Sequence, residues 1–331
     1  MRRLKKSHIF VIVTFSAAAV LLTLVLIAGM NAPPYEPAGP GNRSHENAKV
    51  LSPEEFPIDS LDISWLSGPV TVGVSTDGQI HVTERSSEKL DEGSRMKLEA
   101  DSGTLKIRWD GQWFRRFFNV GFGWFGVKDK ELEVLLPGDT ARALASAEVS
   151  NTSGALEVSG CRAEKLSVST VSGELTLSAC SAEELVADSV SGSITLADIS
   201  ASEAMTVNTV SGGMELTGVS AGKLSLDTVS GACSLLGDAR DLGANTISGD
   251  VTARLSSQPE TVDMDSVSGA LRLELPAGSG FTVAHDSVSG GFKCAFPTED
   301  LGGHRLRCGS GGADIQMNTT SGSMDIRQRE A

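Results

Sequence analysis

The chain has 331 residues, 28 Lys and Arg against 42 Asp and Glu, and a formal net charge of −14. Four basic residues, Arg2, Arg3, Lys5 and Lys6, fall in the first six, which leaves 24 basic against 42 acidic and a net of −18 for the rest. That balance argues against nucleic acid, whose affinity comes mostly from Lys and Arg on phosphate, and few aromatics with 36 Gly suit thin β coils better than a thick α/β core.

Residues 1–8 are basic, and Ile9 to Met30 is apolar apart from Thr14, Ser16, Thr23 and Gly29. A run of that length crosses a ~30 Å hydrocarbon core as a helix. A cleaved signal peptide has a shorter apolar core and a small-x-small site, so residues 1–30 are expected to be a cytoplasmic stub and an uncleaved single-pass anchor. The positive cluster stays in the cytoplasm, which places the remainder outside a bacterial cell membrane. Residues 31–49, with Pro33, Pro34, Pro37 and Pro40, read as a spacer.

Residues 50–140 carry alternating segments such as Leu61 to Trp65, Val70 to Val74 and Glu131 to Leu136, and read as an irregular β head that caps the region from residue 141 onward. Within the head, Arg108 to Gly126 is unusual. Trp109, Trp113, Phe114, Phe117, Phe118, Phe122, Trp124 and Phe125 crowd together with Arg115 and Arg116. Two readings stay open. One is a contact surface for the bilayer interface, a protein partner or sugar rings. The other is a hairpin whose rings fill the head's core.

From residue 141 to the end a phrase repeats. Leu224 opens LSLDTVSGACSL, and kindred phrases start at Leu185, Met205, Leu242 and Val262. The anchoring glycines are Gly154, Gly173, Gly192, Gly212, Gly231, Gly249, Gly269 and Gly290, spaced 19, 19, 20, 19, 18, 20 and 21 apart, with Gly322 in a final phrase. Apolar residues alternate on either side of each Ser-Gly, as in strands. A period near twenty with strand alternation predicts an all-β fold, a parallel β-solenoid in which each strand pairs with its counterpart one coil on. The glycines are expected to break the alternation through positive φ. Asp188, Asn208, Asp227, Asn245, Asp265 and Asp286, four residues before successive glycines, should form a column. A cation- or sugar-binding row and a structural turn ladder are both consistent with it, and turn chemistry favours the second.

Cys161 and Cys180 each follow a repeat glycine by seven residues, so they lie on adjacent coils at a separation where a disulfide is feasible. Cys294 and Cys308 flank a looser turn and could clip it. Cys233 fills an inward slot as a buried thiol. The five histidines are scattered, and no paired Cys/His spacing suggests zinc. No nucleophile elbow, phosphate loop or dinucleotide fingerprint is present, so no catalytic residue, metal or cofactor is assigned, and a non-enzyme is expected.

The basic start and anchor, the strands around Leu61 to Val74, the Val-Ser-Gly coils and the ending GSGGADIQMNTTSGSMDI together resemble the bacterial "putative adhesin" family, a domain of unknown function that includes LiaG-like proteins. The resemblance spans residues 50–326 and implies a β-helix ectodomain without catalytic residues to carry over. A binding or scaffold role at the cell envelope is therefore expected, with lipid contacted through residues 9–30 and an envelope protein or glycan as partner. Regulation of an envelope-stress sensor and glycan turnover are the rival readings.

Overall fold

The structure, a computed structural model, describes residues 43–109 and 130–329. The expected anchor at 9–30 and most of the aromatic stretch lie outside these residues. Among the described residues no helix is long and apolar enough to cross a membrane, and the one α-helical turn is Gly138–Ala141.

The repeats form the predicted stack. Strand Arg162–Ser172 pairs in parallel with Leu144–Ser153 on one side and Ser181–Ser189 on the other. The shorter strands after each glycine, such as Leu175–Ser178, do the same on a second face. Side chains alternate between core and solvent along these stacked strands. Leu166, Val168, Leu175 and Leu177 of one coil are buried over Leu185, Ala187, Ile194 and Leu196 of the next. The apolar residues thus make one continuous core running the length of the stack.

The order of coils in space departs from their order in the chain at both ends. Strands Ser60–Ser67 and Val70–Ser75 do not merely cap the repeats. They form a full coil stacked on Leu144–Ser153 and Leu156–Ser159. On its far side sits a coil built from Thr104–Arg108 and Lys130–Pro137. Antiparallel strands close that end: Lys97–Asp101 covers Thr104–Arg108, and Ile80–Ser86 covers Lys130–Pro137. His45–Leu51 lies antiparallel on Ile80–Ser86.

At the other end the final phrase was expected to finish the stack. Instead Ala313–Thr319 and Met324–Gln328 slide between the coil 261–275 and the coil 281–294. The outermost strand Phe281–Ser287 is covered by the antiparallel strand Arg305–Cys308. Its companion Phe292–Cys294 has a single strand neighbour among the described residues.

The repeat glycines are required for a reason different from the expected one. Gly68, Gly154 and Gly173 do have positive φ, at 95°, 114° and 156°. The later ones do not. There the constraint is proximity: a Cβ on Gly231 would lie 1.8 Å from the Gly212 carbonyl oxygen, and one on Gly322 would lie 2.0 Å from that of Gly269. The glycines stack so closely that no side chain fits between rungs. The column also records the swap, since Gly290 rests on Gly322 and Gly322 on Gly269.

Candidate functional site

A hydroxyl three residues before the repeat glycine organises the bend. The N–H of Gly192 donates to Ser189 Oγ at 2.9 Å, and the same bond recurs from Gly231 to Thr228 and from Gly249 to Thr246. Beside these hydroxyls runs the Asp/Asn column. Asn208 donates to Asp188 at 2.8 Å and Asn245 to Asp227 at 2.7 Å. Burial raises the pKa of Asp188, and the Asn208 amide partly offsets that. These bonds run along the stack from rung to rung, as in a structural ladder.

One corner of the stack presents a different surface. The residue before most of the repeat Ser-Gly pairs is apolar, at Val171, Val190, Val210, Val229, Ile247, Val267 and Val288, and the last three of these are exposed. Ser191 donates both its N–H (3.0 Å) and its Oγ (3.1 Å) to the Val171 carbonyl, and Ser230 does likewise to Val210. The serine hydroxyls are thereby consumed, and the corner shows methyl groups.

The least ordinary chemistry lies at the head of the stack. Lys130 and Glu84 are both fully buried, with Nζ 2.9 Å from Oε1. Lys130 Nζ also donates to the Ser94 carbonyl at 2.5 Å and the Trp109 carbonyl at 2.7 Å. Glu84 accepts from the Met96 N–H at 2.9 and 3.0 Å and from Asn47 at 3.2 Å. The ammonium lies 4.4 Å from the Trp109 ring centre and 5.5 Å from that of Trp65, and the two rings meet edge to face at 4.8 Å. A buried ion pair survives only when its remaining donors and acceptors are met, and here three acceptors surround the ammonium. The Lys130 carbonyl completes the packing: a Cβ on Gly68 would lie 1.7 Å from it.

This cluster corrects one expectation. Trp109, grouped with the contact candidates, is 5% exposed and belongs to the core. The other members, Trp113, Phe114, Arg115, Arg116, Phe117, Phe118, Phe122, Trp124 and Phe125, lie outside the described residues. Sequence reasoning missed the Glu84–Lys130 pair. Its only trace was a Glu just after the alternating segment Gln79 to Thr83, at an inward position where an apolar residue would ordinarily stand.

All five cysteines are thiols in the structure. Cys161 and Cys180 are buried in neighbouring coils. Cys161 Sγ donates to the Ser159 carbonyl at 3.6 Å and Cys180 Sγ to those of Ser178 and Val158 at 3.3 and 3.7 Å. The proximity of the two thiols raises the pKa of Cys161 and lowers that of Cys180. Cys308 is buried and donates to the Ser279 carbonyl at 3.4 Å, while Cys294 is half-buried. Cys233 is buried, which pushes its thiol up to about 12. His285 stacks flat on Phe292 at 4.0 Å, and burial followed by the nearby His304 lowers its pKa.

A family model described as "Toastrack DUF4097" matches residues 58–327. No curated protein matches the chain. Among solved structures, a protein from Parabacteroides distasonis titled "Putative lipid binding protein" aligns with a TM-score of 0.52 at 14% identity, over 87% of this chain and 98% of that one. A "putative adhesin" from the same species gives 0.42 at 13%, over 86% and 97%. A "putative adhesin" from Bacteroides fragilis gives 0.40 at 12%, over 86% and 98%. The first of these supports the fold, and the matched family agrees with the resemblance read from the repeats.

Proposed function

The chain belongs to the Toastrack DUF4097 family, and from that premise we propose that it is a non-catalytic binding scaffold of the bacterial cell envelope, anchored by residues 9–30 with the β stack outside. The contact is made by Trp113, Phe114, Arg115, Arg116, Phe117 and Phe118. The observation that carries this reading is the Lys130–Trp109 bond. It ties together the two described residues that flank the aromatic stretch, the Lys130 ammonium lying 2.7 Å from the Trp109 carbonyl at the outermost coil. Both flanking residues are thus held at the head of the stack. Rings combined with arginine suit a surface that offers both apolar and anionic groups.

The test replaces Trp113, Phe114, Arg115, Arg116, Phe117 and Phe118 with Ser in the full chain and in a chain lacking residues 1–30. Circular dichroism checks the fold. Sedimentation with isolated envelopes, anionic lipid vesicles and purified cell-wall glycan reads association and separates lipid from glycan. The reading expects the fold to be retained and sedimentation to fall at least several-fold. Unchanged sedimentation of the anchor-free variant would overturn it.

A further inference from the structure

We propose that Cys161 and Cys180 are a covalent modification site: a disulfide that staples two neighbouring coils of the stack. The parallel register sets Arg162 against Ser181, and the Ser181 N–H donates to the Cys161 carbonyl at 2.9 Å. The two cysteines therefore stand one rung apart in the same column. Adjacent rungs are about 4.8 Å apart, within the Cα separation that a disulfide spans.

The next two rungs of that column hold Ile199 and Val219, both buried, joined by the same ladder from Ser200 to Cys180 and from Ser220 to Ile199. The slot thus accepts a β-branched apolar side chain. Thiols replace it in two consecutive rungs, and Cys180 Sγ reaches back to the Val158 carbonyl of the Cys161 coil at 3.7 Å. The stapled coils also contain a weak bend. Thr170 Oγ1 has no hydrogen-bond partner among the described residues, whereas its counterparts Ser189, Thr209, Thr228 and Thr246 each accept from the glycine N–H three residues on.

The oxidant is a disulfide, either a small one or that of an oxidoreductase. The Cys180 thiolate attacks one of its sulfurs, forming a mixed disulfide and releasing one thiol. Cys161 then attacks the Cys180 sulfur, closing the Cys161–Cys180 bond and releasing the second thiol. Two electrons and two protons pass from the cysteines to the oxidant. Both cysteines are 2% exposed, so exchange takes place before the coil 181–197 closes over the coil 162–178. Once closed, the bond is shielded from external thiols.

The full chain is reduced, denatured and refolded with oxidised glutathione, then digested without reductant. Cleavage at Arg162, Glu164, Lys165 and Glu174 separates the two cysteines. The expected product is a Cys161 peptide linked to a Cys180 peptide, with a higher denaturation midpoint than the same chain refolded reduced. The double replacement Cys161→Val with Cys180→Ile supplies the residues of the later rungs. It should fold normally and show no oxidant-dependent midpoint. Recovery of both cysteines in alkylated, unlinked peptides, or linkage of either to Cys233, Cys294 or Cys308, would overturn the proposal.

Discussion

Asn318 donates its side-chain amide to Asp265, 2.7 Å away and 53 residues earlier in the chain. The bond is made by the inserted coil. Taken in chain order, Asp265 would meet Asp286 on the next rung, two carboxylates face to face. With Ala313–Thr319 between them the column alternates as Asp188, Asn208, Asp227, Asn245, Asp265, Asn318, Asp286. Like charges directly opposite one another are destabilising in a sheet. The swap removes the conflict.

Replacing Asn318→Asp puts three carboxylates on consecutive rungs and removes a bond to a charged acceptor. The expected loss is about 2 kcal/mol at neutral pH. Urea denaturation at pH 7 in low and in high salt reads it, and the loss should shrink as salt screens the repulsion. An equal loss in both salts would sink the electrostatic account.

The glycine column makes a prediction with an internal control. A methyl group on Gly231 meets backbone at 1.8 Å, so Gly231→Ala forces the rungs apart and should cost roughly 3 kcal/mol. Gly213 has nothing nearer than 3.6 Å and no positive φ, so Gly213→Ala should change stability by under about 1 kcal/mol in either direction. Similar midpoints for the two variants in thermal melts would contradict close stacking as the cause.

Lys130→Met leaves Glu84 buried without its counter-ion, and a loss of about 3–5 kcal/mol is expected. Adding Glu84→Leu removes the stranded charge and should restore most of it. The coupling is read by a double-mutant cycle in urea. Additive losses would mean that the two side chains do not act as a pair.

Asp263 carries the clearest pH signature. Partial burial, then the charges of Asp265 and Asp314, raise its pKa to about 6 from an ordinary 3.8. The folded chain therefore holds that proton more tightly than the unfolded chain. Its ionisation costs stability above about pH 6, and the cost fades as pH falls toward 4. Asp263→Asn should raise the melting temperature slightly at pH 7.5 and leave it unchanged near pH 4. A uniform shift at both would refute the assignment. The effect is small because the side chain keeps contact with solvent.

The regular coils were legible because period, strand alternation and the Ser-Gly phrase all report the same rung. The insertion was written there too. NTTSG at Asn318 to Gly322 is the phrase that restores the Asp/Asn alternation broken between Asp265 and Asp286, but only the pairing of rungs 53 residues apart makes that visible. The need for glycine was legible, while its cause was not, because a clash between stacked backbones has no signature in a single phrase. At the head, Trp109 looked like its aromatic neighbours, and its burial depends on Lys130 and Trp65, which are remote in sequence.

The interleaved coil has a temporal consequence. A growing chain can lay down the coils from 144 to 275 one after another as it emerges. The coil 281–294 has no seat of its own until residues 313–328 have arrived to lie beneath it. Its inward residues Phe292 and Cys294, which pair with Met324 and Ile326, therefore stay unsheltered during that interval. Closure of this end thus waits on the arrival of residues 313–328.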